Sequence, residues 1–196
     1  MPESADRFDG LGGTELAAEI KEVLITSQEL QERIQAMGKQ ISQDYAGQNP
    51  LVVGVLKGVI FFMADLLRAI TIPVEVDFLA VSSYSSESRQ NGLVRLEKDL
   101  ETEIKGRQVL FVEDVIDTGL TLNYLLRNLR ERQPAGLEVC VLFDKSKNRL
   151  INIPLKYKGF DLPDRFIVGY GLDYHEKYRN LPFVGLLKPG NLKNHT

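Results

Sequence analysis

Apolar positions along the chain fall into two patterns, short solid runs and helical stripes. Leu51 to Leu56, Val109 to Val112 and Leu137 to Phe143 are nearly continuous apolar runs, too short and too β-branched to favour helix. They predict buried strands. Val74 to Val81 alternates and then becomes fully apolar, as a strand does, and Leu93 to Leu96 predicts the strand that returns from it. Leu30, Ile34, Met37, Ile41 and Tyr45 share one face of a helix that Thr26-Ser27-Gln28-Glu29 would start as a capping box and Gly47 to Pro50 would end. Val59 to Ile70 predicts a strongly apolar second helix, and Leu122, Leu125, Leu126 and Leu129 mark a third over Leu120 to Arg132, broken by Pro134 and Gly136. Strand and helix alternate, which predicts an α/β domain whose central, mostly parallel sheet is flanked by helices on both sides.

The junctions carry the chemistry. After Val109 to Val112 come Glu113 and Asp114, then Asp117, Thr118, Gly119, Leu120 and Thr121, and then the third helix. A loop there lies beyond the carboxyl end of a strand, where open α/β sheets bind ligands. Gly119 permits a tight turn, the Thr118 and Thr121 hydroxyls can donate, and the first helical NH groups point outward with the positive end of the dipole. Those features suit a phosphate. The lysine of a GxxxxGK[ST] loop is missing, and so is GxGxxG. Carboxylates beside a phosphate repel it unless they face a hydrated Mg²⁺ or the hydroxyls of a ribose, so the combination asks for a ribose 5-phosphate with metal. Asp117 and Thr118 taken alone read equally well as an ordinary helix cap. Capping does not account for Glu113 and Asp114, whose charge is costly to bury at the tip of an apolar strand.

Other stretches leave alternatives open. Lys57-Gly58 follows the first central strand, either as a solvated turn or as a second ligand edge. Ser82 to Gly92 is small and polar apart from Tyr84, a plain connection or a lid. Lys145 and Arg149 follow the strand ending at Phe143, as surface charge or as part of a site, and Phe166 by itself reads as a core aromatic.

Bulk properties narrow the partners. The chain has 196 residues, enough for one domain with a real core and short for two. A net charge of −3 argues against a broad basic surface for nucleic acid. No run approaches a membrane span, and the N-terminus has no hydrophobic signal core, so no membrane partner is expected. The one cysteine, Cys140, sits in an apolar run, which predicts an inert buried thiol and a reducing, cytoplasmic setting. His175 has no second His or Cys at metal spacing, and His195 is far off near the C-terminus, so no zinc site is expected. Polar, glycine-bearing residues 1–14 are expected to be a disordered leader, and 15–196 to form a single domain.

Val112-Glu113-Asp114-Val115-Ile116-Asp117-Thr118-Gly119-Leu120-Thr121 resembles the phosphoribosyl-diphosphate (PRPP) motif of type I phosphoribosyltransferases, and most closely that of the hypoxanthine-guanine family. The likeness runs from about Leu51 to Lys188. It implies the type I fold, with a small purine-binding hood from about residues 15–30 and 145–190. It also implies transfer of a 5-phosphoribosyl group from PRPP to N9 of a 6-oxopurine, with Mg²⁺ as cofactor, in purine salvage. By the resemblance, Asp117 is the proton acceptor for purine N7. Glu113 and Asp114 orient the ribose hydroxyls and a metal ion, and Thr118, Gly119, Leu120 and Thr121 hold the 5′-phosphate. Lys57 and Gly58 match the pyrophosphate loop, where the family has a cis peptide. Ser83 and Tyr84 begin the closing loop, and Arg179 binds pyrophosphate. Lys145 meets the purine 6-oxo group, Phe166 stacks on the base, Ile167 reads it through main-chain groups, and Asp173 holds a second Mg²⁺. A homodimer or homotetramer is implied as well. Two rivals stand beside this: a PRPP-fold sensor without turnover, and a phosphoribosyltransferase for another base.

Overall fold

The computed structural model describes residues 15–83 and 94–188. The expectation of a disordered leader, most of the Ser82 to Gly92 stretch and His195 therefore lie outside the described residues.

The elements run α1 (Glu15–Ala18), β1 (Ile20–Ile25), α2 (Ser27–Asp44), β2 (Leu51–Leu56), α3 (Ile60–Ala69), β3 (Glu75–Ser83), β4 (Val94–Lys98), β5 (Gln108–Ile116), α4 (Leu120–Glu131), β6 (Gly136–Asp144), β7 (Tyr157–Asp161), β8 (Ile167–Val168) and β9 (Val184–Leu187). A single 3₁₀ turn, Ser146–Asn148, follows β6. The capping box forms as expected: the Glu29 NH donates to the Thr26 hydroxyl, and the Thr26 NH donates to the Glu29 carboxylate at 2.7 Å.

Six strands make the main sheet in the order β4-β3-β2-β5-β6-β7, parallel throughout except for the antiparallel edge strand β4. Strand period two sorts their side chains onto two faces. Val52, Leu110, Val112, Cys140 and Leu142 pack with the buried stripe of α2 and with Phe62, Met63 and Leu66 of α3. Val53, Phe111, Val139 and Val141 face the other way, onto Leu122, Leu125, Leu126 and Leu129 of α4. Each of those leucines stabilises the fold by roughly 1.5–3 kcal/mol through burial. Cys140 is fully buried, and burial pushes its thiol pKa up, so the expected inert thiol is what the core contains.

β1, β9 and β8 form a separate antiparallel sheet, joining residues near the start of the described chain to residues near its end. Ile20, Val23, Val168, Leu181, Phe183 and Leu187 give it a small core of its own. The Tyr170 hydroxyl donates to Asp65 of α3 at 2.6 Å and ties this end of the chain to the main domain.

Sheet order places the ligand edge. From β2 the chain steps outward to β3, whereas from β5 it steps the opposite way to β6, so the crevice between the ends of β2 and β5 is the topological switch point. β5 is longer than the apolar run suggested. Its pairing with β2 ends at Gly54 and Val112, but β6 continues to pair it through Ile116. Glu113 and Asp114 therefore lie within the strand and not at its tip, in a stretch where the β2 side has been left open.

Asp77, at the start of β3, closes the link between β4 and β5. It is buried and accepts from the NH groups of Phe78, Glu101 and Thr102 at 2.7–2.9 Å, with the Lys98 ammonium at 3.3 Å. Burial opposes its charge, but these donors outweigh burial and hold its pKa down at about 2. Asp77→Ala strands three backbone donors, so urea unfolding should give a loss of about 3 kcal/mol. A depressed carboxyl stabilises the fold above its unfolded pKa, near 4, and loses that contribution as pH falls through about 2. The difference between wild type and Asp77→Ala should therefore shrink on acidification; a constant difference from pH 6 to pH 2 would contradict this account.

No helix among the described residues is long and apolar enough to cross a membrane.

Candidate active site

The β2 and β5 ends and the 169–179 coil surround a cleft of about 830 Å³, lined among others by Lys57, Glu113, Asp117, Thr118, Gly119, Thr121, Asp173, Glu176 and Arg179. Three stretches far apart in sequence thus meet at one place. Asp114 lies behind the cleft against Gly58: a Cβ on Gly58 would come within 1.9 Å of the Asp114 carboxylate. The Leu56–Lys57 peptide is cis, as the resemblance implied.

Local sequence explains the loop after β5. Gly119 takes a left-handed conformation at φ +82° and is itself the N-cap of α4, so no side chain caps the helix. Neither Asp117 nor Thr118 is the cap that the simpler reading offered. The Leu120 NH donates to the Thr118 hydroxyl, a long bond of 3.4 Å. The NH groups that follow in the first turn of α4 receive no bond from an N-cap side chain and are open to an anion. Leu120 and Thr121 begin the helix at that point.

The acids are set up for a partner. Burial, reinforced by the charge of Asp114, raises the Glu113 pKa well above the usual carboxylate range, and the inner Glu113 oxygen, Oε2, accepts no hydrogen bond. Burial likewise pushes Asp114 up to about 6, against the pull of the Val115 NH, its own NH and the Arg179 charge. Two neighbouring carboxyls held at such cost to their charged forms suit a cation or sugar hydroxyls arriving with a ligand.

Across the cleft, the Arg179 guanidinium meets Asp173 at 2.8 Å and Glu176 at 3.3 Å, and donates to the Gly171 carbonyl at 2.7 Å, while its buried Nε is unpartnered. Lys57 also pairs with Glu176, at 3.3 Å. Asp173 accepts from the Glu176 NH at 2.9 Å. The coil that arranges these groups holds Tyr170, His175, Glu176 and Tyr178 at positive φ, a strained conformation for non-glycine residues.

Lys145, Phe166 and Ile167, also read from the sequence, are not among the residues that line this cleft. Lys145 follows β6 and donates to the Arg165 carbonyl at 3.3 Å. Phe166 is 45% exposed and meets the Tyr174 ring edge-on at 5.0 Å between centroids. Ile167 is buried in β8, its main chain paired with Leu186. Ser83 is the last residue of β3, and Tyr84 lies outside the described residues.

Arg149 departs from the site role weighed for it. Its guanidinium is taken up by buried Asp144 at 2.9 Å and by the Ile153 carbonyl, which makes it an anchor for the turn after β6. Two residues escaped sequence reasoning altogether. Glu176 joins Lys57 to Arg179, and Asn148 donates to Asp117 at 2.9 Å. Neither sits in a motif with a local signal, because their partners come from other segments.

An open α/β sheet with acids and an uncapped helix N-terminus at its switch point defines a protein that binds a phosphorylated sugar or nucleotide. Comparison with known proteins narrows the class. The phosphoribosyl transferase domain family matches residues 22–175. A hypoxanthine-guanine phosphoribosyltransferase of Mycobacterium avium is 48% identical over 177 residues, 87% of this chain and 87% of that protein. One from Streptococcus agalactiae serotype V is 49% identical over 173 residues, covering 88% and 96%. The crystal structure of a hypoxanthine phosphoribosyltransferase from Staphylococcus aureus superposes with a TM-score of 0.89 at 40% identity, covering 93% of this chain and all of that one. The chain belongs to the phosphoribosyltransferase family.

Proposed function

We propose that this protein is the purine-salvage enzyme that moves the 5-phosphoribosyl group of PRPP onto N9 of hypoxanthine or guanine, releasing pyrophosphate. The observation that carries the reading is the convergence of Glu113, Asp117, the uncapped start of α4 and Arg179 on one cleft, in a chain nearly half identical to enzymes of that name.

In this reading the α4 NH groups, with Thr118 and Thr121, bind the 5′-phosphate, and Glu113 and Asp114 fix the ribose hydroxyls. Lys57 and Arg179 receive the diphosphate, displacing Glu176 from both cations. The bond from the anomeric carbon to the diphosphate oxygen breaks as N9 approaches, and positive charge on the sugar and negative charge on the leaving group peak together. Cations already in place at the leaving oxygens lower that barrier. The purine loses a proton as the new bond forms, and Asp117 takes it at N7. Phe166 offers its exposed face to the base, Ile167 its main chain, and Lys145 its ammonium to the 6-oxo group. The β1-β9-β8 sheet, with the turn before β8, is the hood that carries Phe166 and Ile167, while Lys145 comes from the turn after β6.

Mg²⁺ fits the donors present. Among the described residues no three His, Cys, Asp or Glu side chains cluster as a protein cage. Mg²⁺ is commonly held by one or two carboxylates together with substrate phosphates, and Glu113 has a buried oxygen with no donor to meet. Glu113 and Asp114 would hold one ion and Asp173 a second. Bound there, the ion would neutralise diphosphate charge. Exposed Ile60 and Phe61 at the start of α3 support a homodimer or homotetramer, and the single reduced cysteine supports a cytoplasmic setting.

Lys145 also sets the choice of base. It donates to an oxo group but would face the adenine amino group donor to donor. In steady-state assays with PRPP and Mg²⁺, hypoxanthine or guanine should exceed adenine in kcat/KM by about 10³ or more. Pyrophosphate release with adenine alone would overturn the choice of base, and no release with any purine would favour a PRPP sensor.

A further inference from the structure

The turn after β6 touches both halves of the site. On one side it holds the last residue of β5 and the first two of the loop after it: the Lys145 NH donates to the Ile116 carbonyl at 2.9 Å, the Asn148 amide to Asp117 at 2.9 Å, and the Leu150 NH to the Thr118 carbonyl at 3.0 Å. On the other side it holds the turn before β8. The Asp144 carbonyl accepts from the Leu162 NH at 2.9 Å, Lys145 donates to the Arg165 carbonyl, and the same Asn148 nitrogen donates to Asp164 at 2.9 Å. The turn is itself braced by the Asn148 NH donating to the Lys145 carbonyl and by Arg149 on buried Asp144.

We propose that Asn148 is a positioning residue: its one amide group fixes the Asp117 carboxylate and, through Asp164, sets it in register with the base-stacking residue Phe166. The inference rests on the reading of Asp117 as proton acceptor. Asp117 is exposed and stands on a loop, where an unheld carboxylate would turn among its rotamers. An amide NH₂ has two hydrogens, and here each meets one carboxylate, leaving the second Asp117 oxygen for substrate. Being neutral, the amide orients the carboxylate without placing a cation beside it. An arginine or lysine would hold it as firmly but favour its charged form and weaken it as a base. Asp164 stands two residues before Phe166, so the strut runs from the acceptor to the platform on which the base would stack.

The test is a double-mutant cycle read by single-turnover nucleotide formation from PRPP and hypoxanthine. Asn148→Ala should slow that step about tenfold in the wild-type background, with the KM for PRPP within about twofold. In an Asp117→Asn background the same substitution should cost less than about twofold, because its route of action is already gone. Asn148→Asp keeps the volume and replaces the donor with a third carboxylate, and should be slower than Asn148→Ala. Equal losses in both backgrounds, or an Asn148→Asp rate like that of wild type, would overturn the proposal. If Asp117→Asn alone left the rate unchanged, the reading of Asp117 as base would fall instead, so the two failures are distinguishable.

Discussion

Asp117→Asn is expected to lower turnover by about 10²–10⁴-fold while PRPP still binds, the range usual for loss of a general base. The substitution is nearly isosteric, and its side-chain oxygen can still accept from Asn148, so the loop after β5 keeps its ties to the turn after β6. What would disappear is the carboxylate proposed to take the proton as N9 bonds to the sugar. In the proposed reading the 5′-phosphate and diphosphate would be held elsewhere in the cleft, on the start of α4 and on Lys57 and Arg179. Stopped-flow or quenched single turnovers, with PRPP affinity measured by calorimetry, separate the two effects. Unchanged turnover would remove Asp117 from its role, and a parallel loss of PRPP affinity would make it a binding group.

The second large effect is expected at Gly58. An added Cβ would stand 1.9 Å from Asp114 Oδ2 and 2.9 Å from its carboxyl carbon. Asp114 cannot simply swing away without giving up the hydrogen bond from the Val115 NH, 2.9 Å long. Nor can the Gly58 segment back off freely, because its carbonyl already lies 2.1 Å from where a Cβ on Gly171 would be. Gly58→Ala must therefore move the Lys57 loop, the Asp114 carboxylate or both by about 1 Å. Displacement of that size in a positioned site costs on the order of 10²-fold. The prediction is a fall of about 10² in kcat/KM, with pyrophosphate affinity lowered and hypoxanthine affinity less affected. Wild-type pyrophosphate affinity in a folded Gly58→Ala protein would show that this contact does not set the diphosphate loop.

Much of the fold was legible because burial and period coincide. The central strands β2, β5 and β6 are largely solid apolar runs since both faces are covered, and α2 and α4 show clean stripes since only one face is. The Thr26–Glu29 box was readable because all its atoms lie within one turn. Glu113 and Asp114 were picked out as unusual and placed at the tip of the strand, which runs on past them to Ile116. Whether a strand continues past its last apolar residue depends on its neighbours, and here β6 carries β5 four residues beyond the end of its pairing with β2. The small sheet was legible only through resemblance. Its strands are short, and β1 pairs with β9 across most of the chain, a contact for which nearby residues carry no pattern.

The site was legible to a similar depth. The residues around Thr118 announced a phosphate loop through their chemistry, whereas the helix cap proved to be Gly119 and not Asp117 or Thr118. Arg179 and Asp173 have no local signature and came in through family likeness alone, while Lys57 stood on a turn whose local reading was open between ligand edge and solvated turn. Their meeting is made by the sheet's switch point and the strained coil near Tyr178. Glu176 and Asn148 were missed, since a polar side chain in a loop reveals nothing until its partner is brought to it from another segment.

The most direct measurement is a crystal structure of the protein soaked with PRPP and Mg²⁺. Density for the 5′-phosphate should lie on the NH groups that open α4, beside Thr118 and Thr121. The ribose hydroxyls should lie at Glu113 and Asp114, and the diphosphate between Lys57 and Arg179 with Glu176 turned away. An empty loop around Thr118 at saturating PRPP, or PRPP bound at another place on the molecule, would contradict the assignment.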